Sequence, residues 1–235
     1  MIKDVDGIVL SGMKYRETSK ILRLFTRDYG ILSVMAQGVY KKNSRLLSVT
    51  ETFARCAYDL ESGKNMMYLR SAELTDLHYG LRRSLELLKS AQSAAGLLLR
   101  ALPEDAAQPA LFDLYADLLA LLPQSARPEH LTAAFYLQTA SALGYQPYMY
   151  ACTRCGNRKI KSLRFSIRER GILCENCSYV DMRSQSFSQG TYKVVHTMLF
   201  TPLREIDGGG GSGYEDEAIR IVRRYIQEVF DHRTA

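Results

Sequence analysis

The sequence has 235 residues, which is long enough to bury a sizeable core and to form about one to three small domains. Hydrophobic residues make up 46% and charged residues 24% of it, so the composition is globular and excludes wholesale disorder. No apolar run approaches the roughly 20 residues that span a bilayer. The N-terminus MIKDVDGIVL has two aspartates and no cleavage site of a signal peptide. We therefore expect a soluble, cytoplasmic protein without a membrane partner.

The positive charge is concentrated in two blocks of the chain. The net charge is +6 and the pI is near 9.0. Residues 1–80 hold 12 basic against 9 acidic side chains, and residues 151–190 hold 8 against 3. Residues 81–150, with 5 against 6, and 191–235, with 6 against 7, are close to neutral. This unevenness favours a polyanion-binding face, although a basic surface without a partner stays open as the alternative.

The first eighty residues read as short strands. The runs GIVLSGMKY, SKILRLFT and ILSVMAQG are separated by turns, of which RDYG is one. TETFARCAYDLE alternates with period two, as a half-buried antiparallel strand does, and ESGKN turns the chain into MMYLRSAEL. Five short strands in this space predict a small barrel, for which the OB-type barrel is one standard solution. Cys56 lies on the apolar face of its strand and is expected in the core.

From Leu77 the hydrophobic period becomes helical. A first helix is predicted to end near Leu102, and ALFDLYADLLALL and HLTAAFYLQTASALGY predict two more. Further along, Ser188 is a candidate N-cap for TYKVVHTMLF, and EDEAIRIVRRYIQEVF has the apolar stripe of a core-facing helix. The glycine-rich run 208–213 reads as a flexible linker between these last two helices, or as an artificial replacement of a natural loop.

Four cysteines form two CxxC pairs within CTRCGNRKIKSLRFSIRERGILCENC, residues 152–177. Eighteen residues separate the pairs, which is typical of a zinc ribbon with four thiolate ligands. A disulfide is rare in the cytosol, a thioredoxin-like motif needs a βαβ context that is missing, and a catalytic zinc keeps one position open. The insert SLRFSIRERGIL is predicted to form a hairpin near Gly171. The sequence predicts one structural Zn²⁺, bound by Cys152, Cys155, Cys174 and Cys177.

The cysteine segment also carries many cations. They either offset the negative charge of zinc-bound thiolates or contact a polyanion, and the sequence leaves both interpretations open. The cations in question are Arg154, Arg158, Lys159, Lys161, Arg164, Arg168 and Arg170.

Cations of the barrel segment are the candidate nucleic-acid contacts. An OB barrel binds single strands with a positive groove and with aromatic side chains on which bases stack. The loop QGVYKKNSRLL places three cations within five residues beside Tyr40, which indicates phosphate contact. Tyr15 and Tyr29 are further candidate stacking platforms, with rim packing as the alternative. The candidate contacts are Lys14, Arg16, Lys20, Arg23, Arg27, Tyr40, Lys41, Lys42 and Arg45.

These segments resemble a known protein family. GIVLSGMKYRETSKILRLFTRDYGILSVMAQGVYKKNSRL resembles the opening of the bacterial recombination-mediator family RecO, and ALGYQPYMYACTRCG followed by RGILCENC resembles its helix-to-zinc junction. The resemblance covers most of the chain. The glycine run 208–213 departs from the family's pattern. The matching elements of the first segment are Tyr15-x-Glu17-x-Ser19, LFTRDYG, Ala36-x-Gly38 with its basic loop, and Ala72-Glu73.

The resemblance implies a non-enzymatic role in DNA repair and recombination. It implies binding of single- and double-stranded DNA, annealing of complementary strands without ATP, and loading of a recombinase onto strands coated by single-strand-binding protein. The implied partners are RecR, the C-terminal tail of single-strand-binding protein, the recombinase RecA, and RecF, and the protein would join the nucleoid when it acts. DNA contacts would fall on the candidate residues above, and metal binding on the four cysteines.

We therefore predict an α+β protein with three parts. An OB-type barrel covers residues 1–80, a helical domain covers 81–150 and 186–235, and a zinc-binding insert covers 151–185. Two rival functions stay open: a zinc-ribbon adaptor that binds only proteins, and an RNA-binding OB module. A zinc-dependent nucleobase deaminase is excluded because its His-x-Glu and Pro-Cys-x-x-Cys elements are missing. Nothing resembles GxxxxGK[ST], so nucleotide hydrolysis is not expected.

Overall fold

The computed structural model describes residues 1–64, 66–206 and 213–230. The backbone forms two compact units, Met1–Gln124 and Ser125–Ala235. The three-part division into barrel, helical domain and insert stays a prediction, and residues 208–212 of the glycine run lie outside the described residues. None of the described helices has both the length and the apolarity needed to cross a bilayer.

The first unit begins with a closed five-stranded barrel, as the sequence predicted. The strands follow the order β1-β2-β3-β5-β4, in which β3 and β5 are parallel and the other neighbours antiparallel. This is the arrangement of an OB-type barrel. The strands are β1 (Ile2–Tyr15), β2 (Ser19–Thr26), β3 (Gly30–Ala36), β4 (Arg55–Ser62) and β5 (Met67–Asp76).

Alternation along the strands fills the barrel. Cys56, Tyr58 and Leu60 on β4 are fully buried, and residues between them are half-buried, which confirms the period-two pattern. The expectation that Cys56 belongs to the core is confirmed as well. The hydroxyl of Tyr58 is satisfied inside the barrel because it donates to the carbonyl of Val49 at 2.8 Å.

The fourth strand starts later than the sequence indicated. Residues Leu46–Val49 form a one-turn helix, α1, and β4 begins at Arg55 instead of Thr50. The hydroxyl of Thr50 donates to the carbonyl of Leu46 at 2.7 Å, which holds the chain in the helical turn. Phe53 then takes a left-handed backbone conformation with φ of 73°. Residues 50–54 therefore form a turn, although their polar and apolar residues alternate. The prediction that the strand begins at Thr50 is wrong for these five residues.

Two helices complete the first unit: α2 (Leu85–Ala101) and α3 (Pro109–Leu121). Ser84 caps α2 by accepting from the amide of Leu87 at 3.2 Å. Phe112 of α3 packs edge-on against Phe25 of β2 with ring centroids 5.5 Å apart. Both rings are fully buried, so the helices and the barrel share a core.

The second unit combines three helices with a small sheet. The predicted helix 130–145 runs from Pro128 to Ala142, and the predicted N-cap Ser188 accepts from the amide of Thr191 at 3.0 Å. The hairpin of the cysteine segment is confirmed, but a third strand joins it, and the sequence did not indicate that strand. The elements are α4 (Pro128–Ala142), β6 (Leu163–Ser166), β7 (Gly171–Leu173), β8 (Gln185–Phe187), α5 (Gln189–Phe200) and α6 (Glu215–Phe230).

Candidate nucleic-acid interface and metal centre

One end of the barrel gathers the β1–β2 hairpin and the loop after β3. Lys14 on β1 pairs in register with Lys20 on β2, and Lys20 in turn with Ala36 at the end of β3. The amide of Tyr40 donates to the carbonyl of Thr18 at 3.1 Å, so residues 37–45 lie against the hairpin tip. Basic residues far apart along the chain thereby meet at one end of the barrel.

Five of the candidate residues at this end are exposed cations, which we call the barrel-end cations. None of them forms an ion pair within residues 1–64, 66–206 and 213–230. The ammonium of Lys14 lies 5.5 Å from the ring centroid of Tyr40. The guanidinium of Arg16 lies 5.3 Å from the ring centroid of Tyr15. These cation–π contacts hold two exposed rings among positive charges. The barrel-end cations are Lys14, Arg16, Lys41, Lys42 and Arg45.

The loop that carries three of these cations has a defined backbone. Gly38 and Asn43 adopt left-handed conformations with φ of 74° and 63°. The amide of Lys41 donates to the carbonyl of Gly38 at 3.2 Å, and the amide of Ser44 to the carbonyl of Lys41 at 3.1 Å. Two consecutive turns therefore present the cations on a short loop.

Lys20 has a different environment from the barrel-end cations. It is half-buried, and its Nζ donates to the carbonyl of Thr50 at 2.6 Å. Burial lowers the pKa of its ammonium, and the charge of Glu51 opposes that shift. The ammonium therefore ties β2 to the end of α1.

Arg23 and Arg27 are paired with carboxylates of the first unit. Arg23 binds Glu104 and also donates to the hydroxyl of Ser33 at 3.1 Å. Arg27 binds Asp113, whose hydrogen bond and charge raise the pKa of the guanidinium. Neither carboxylate was predicted as a partner, because 81 and 86 residues separate the paired side chains and no local signal links them.

The candidate stacking platforms do not all meet. Tyr15 and Tyr40 are 37% and 43% exposed and lie with the barrel-end cations. Tyr29 is 40% exposed, but it stands in the β2–β3 turn, at the other end of that strand pair. Its amide donates to the hydroxyl of Thr26 at 3.2 Å. The structure thus brings two of the three tyrosines together.

The four cysteines form one compact cluster in the second unit. Their sulfur atoms all lie within 4.8 Å of one another, and those of Cys155 and Cys174 are 3.7 Å apart. Four sulfurs at about 2.3 Å from a tetrahedral ion are separated by about 3.8 Å, so the cluster could hold a metal. The amides of Gly156 and Cys177 donate to the carbonyls of Cys152 and Cys174 at 2.9 and 3.0 Å, which closes each CxxC into a tight turn.

The short distances between these thiols affect how readily each of them ionises. Burial opposes ionisation of Cys152, but hydrogen bonds from backbone amides, chiefly that of Cys174, lower its pKa to about 6. Burial and the neighbouring thiols raise the pKa of Cys177 to about 12. One thiolate therefore forms readily, whereas four thiolates so close together need a cation to offset their repulsion. The donor set fits a thiophilic metal ion.

Comparison with known proteins agrees with this architecture. Residues 1–78 match the family model "Recombination protein O N terminal", and residues 82–234 match "Recombination protein O C terminal". Relatives named "DNA repair protein RecO" include those of Exiguobacterium sibiricum, with 31% identity over 98% of this chain and 91% of the relative, and of Alkaliphilus metalliredigens, with 27% identity over 98% and 95%. A third, from Bacillus pumilus, is 30% identical over 98% and 89%. The chain therefore belongs to the RecO family, whose members act in DNA repair and recombination.

Proposed function

We propose that this chain binds single- and double-stranded DNA at the barrel end, anneals complementary strands without ATP, and helps to load a recombinase onto strands coated by single-strand-binding protein. One observation carries the proposal. Five exposed cations without an ion pair in the described residues lie with Tyr15 and Tyr40 on the β1–β2 hairpin and the loop after β3, at one end of an OB-type barrel, and two of them contact the tyrosine rings. This combination supplies the phosphate contacts and the stacking platforms that single strands need.

The physical basis of annealing in this proposal is charge neutralisation. Two complementary strands repel each other through their phosphates, and cations that replace condensed counterions reduce this repulsion and raise the local strand concentration. Watson–Crick pairing then lowers the free energy of the two strands and requires no nucleotide hydrolysis. The protein acts as a binding surface in this scheme and not as an enzyme.

The remaining candidate contacts have a secondary role in the proposal. Arg23 and Arg27 would have to exchange a carboxylate for a phosphate, and Lys20 would have to leave the carbonyl of Thr50. Each exchange gives up an existing interaction, so each of these residues adds less affinity than a barrel-end cation.

The proposal assigns the cysteine cluster one structural Zn²⁺. Four thiolates leave no open position for a water or a substrate, which is the arrangement of a structural site. The ion would hold the two CxxC turns together and stabilise the β6–β7 hairpin that lies between them in the sequence.

Family membership extends the proposal to partners and location. We assign to this chain RecR, the C-terminal tail of single-strand-binding protein, the recombinase RecA, and RecF as partners, and the cytoplasm, with the nucleoid during repair, as its place of action. These assignments rest on the family and not on a surface of the described residues.

A strand-annealing experiment tests the proposal against its two rivals. Two complementary oligodeoxynucleotides carrying a fluorescent donor and acceptor are mixed without ATP, with and without the protein. We expect faster pairing with the protein, and a slower rate when Lys41, Lys42 and Arg45 are all changed to alanine. Unchanged pairing together with no DNA binding would favour the protein adaptor. Stronger competition by RNA than by DNA of the same sequence would favour the RNA-binding module.

A further inference from the structure

The second unit contains a concave pocket of about 870 Å³ beside the cysteine cluster, against which the lining residue Val180 packs. Its walls come from β6, from the turn between β6 and β7, from residues 179–183 and from α6. Aromatic and apolar side chains, among them Tyr145, Phe165 and Val229, form part of its lining. Four arginines also line it: Arg168, Arg170, Arg183 and Arg224. We call it the arginine pocket.

One carboxylate of the pocket lining, that of Asp181, is held within the wall. Asp181 is buried, and its Oδ2 accepts from the hydroxyl of Ser166 at 2.6 Å. Its Oδ1 accepts from the backbone amide of Arg183 at 2.9 Å, while its own carbonyl accepts from the hydroxyl of Ser184. The carboxylate therefore fixes the 181–184 segment against β6, and the Arg183 side chain remains available.

In the part of the chain that the structure describes, no ion pair explains the grouping of these arginines. Within the described residues Arg168, Arg183 and Arg224 form no ion pair, and Arg170 lies over the ring of Tyr145 at 5.5 Å. Four guanidinium groups around one cavity repel one another, against only the carboxylates of Asp181 and Glu228 in the lining. A cavity of this kind attracts an anion.

The mouth of the pocket carries exposed apolar side chains. Tyr179 is 69% exposed and Met182 is 85% exposed, although both line a concave surface. An anion alone would gain nothing from them, whereas a ligand with a flat apolar part would cover them. The volume is within the range of about 300–1,000 Å³ that is typical of pockets for small ligands.

We propose that the arginine pocket binds an unstacked nucleotide of single-stranded DNA, with its phosphates on the arginines and its base against Tyr179 and Met182. A guanidinium group can donate two parallel hydrogen bonds to two oxygens of one phosphate. Bases of any sequence stack on aromatic rings. A paired base cannot enter a concave pocket without leaving its duplex, so the pocket selects single strands. An acidic peptide would use the same arginines but has less need of a flat exposed ring. This inference rests on the proposed DNA binding and adds a second contact, in the second unit, to that at the barrel end.

Binding of a fluorescein-labelled oligothymidylate to the full chain across a salt series tests this inference. The quantity measured is the slope of the logarithm of the binding constant against the logarithm of the salt concentration, called the salt slope below. Changing Arg168→Gln and Arg183→Gln together should reduce the magnitude of this slope by about 1.4, which is two phosphate contacts at about 0.7 each. The matched control changes Lys193→Gln and Arg220→Gln, which removes the same charge from exposed positions of the second unit outside the pocket lining. We expect the control to change the slope by less than half as much.

Tyr179→Ala separates stacking from charge. We expect it to weaken single-strand binding about fivefold or more, since each stacked base contributes on that scale, and to leave the salt slope unchanged. Binding of a blunt duplex should not change. As a measurement without any substitution, photocrosslinking from 5-iododeoxyuridine should attach the strand to a peptide containing residues 179–183.

The outcomes distinguish this inference from the proposed function. In one outcome the wild type binds the oligonucleotide, and the variant with Lys41, Lys42 and Arg45 changed to alanine binds it less tightly. If the pocket variants then bind like the control and no crosslink reaches residues 179–183, only the inference is overturned. If the pocket variants instead lose binding of an acidic, aromatic-containing peptide and keep DNA binding, the pocket belongs to a protein partner and the inference is again wrong. If the wild type binds no DNA at low salt, the proposed function fails and the inference fails with it.

Discussion

Arg27 and Asp113 meet fork to fork. Nε of the arginine donates to Oδ1 at 3.1 Å and Nη2 to Oδ2 at 2.9 Å, so both oxygens of the carboxylate are engaged. The pair joins the β2–β3 turn of the barrel to α3, and it raises the pKa of the guanidinium. A phosphate that approached Arg27 would have to displace this carboxylate first.

Arg27 lies at the opposite end of β2 from the barrel-end cations, so a DNA strand that extends along β2 should gain a contact when Arg27 is released. We expect Asp113→Asn to steepen the log–log salt slope for a single-stranded oligonucleotide by up to about 0.7, the value of one phosphate contact. Asp105→Asn is the matched control, because it makes the same change at an exposed position in the loop before α3, and its left-handed backbone accepts asparagine. Equal slopes for the two variants would show that Arg27 does not contact DNA even when released.

The barrel-end cations should set most of the salt dependence. Changing Lys41, Lys42 and Arg45 together to alanine should reduce the slope for single-stranded DNA by about 2, which is three contacts at about 0.7 each. Fluorescence anisotropy at several salt concentrations measures it. Changing Arg83, Lys89 and Lys193, which are exposed cations that belong to neither the β1–β2 hairpin nor the loop after β3, removes the same charge and should have a smaller effect. If both triple variants behave alike, net charge and not the loop governs binding.

The cysteine cluster should bind one zinc ion per chain. Cys155→Ser removes the exposed member of the cluster, so it changes packing least, and we expect it to abolish zinc binding as measured by release to a chromogenic chelator. Because a structural zinc site contributes on the order of 10 kcal/mol to folding, the second unit should melt at a lower temperature. Cys56→Ala, in the barrel core, should keep the zinc. Zinc retained by Cys155→Ser would contradict a four-cysteine site.

His130 should make the second unit less stable in mild acid. Burial lowers the pKa of its imidazole, as does the charge of Arg127, whereas Glu215 opposes the shift. The unfolded chain therefore binds the proton more tightly than the folded chain, and stability is lost as the pH falls below about 6.5, the ordinary pKa. We expect the melting temperature to drop more between pH 7.5 and 5.5 in the wild type than in His130→Asn. Identical drops would show that other groups carry the acid sensitivity.

Local patterns in the sequence were sufficient for most of the elements and for the four-cysteine cluster. Period-two alternation around Tyr58 identified a strand, Ser188 identified a helix start, and the two CxxC pairs identified a cluster whose sulfurs meet. Each of these features depends on residues within a few positions of one another, or on a spacing with one dominant chemical use. Such patterns survive folding because tertiary contacts reinforce them.

Features that depend on distant partners could not be predicted. The cations Arg23 and Lys41 look alike in the sequence, yet Glu104 neutralises the first, and the second is exposed. Residues 50–54 alternate like a strand, but hydrogen bonds to α1 and a contact with β1 make them a turn. The parallel pairing of β3 with β5, which closes the barrel, has no signature in either strand alone.

The packing of α3 on the barrel limits where the chain can be cut. Phe25 and Phe112 share a core, and Ile31 forms a bridge with Glu104, while a side chain at Gly30 would meet the carbonyl oxygen of Ala106 at 2.3 Å. A fragment that stopped at residue 80 would expose these surfaces to water and would be prone to aggregate. The shortest fragment suited to biophysical work on the barrel alone therefore runs to residue 124, the end of the first compact unit.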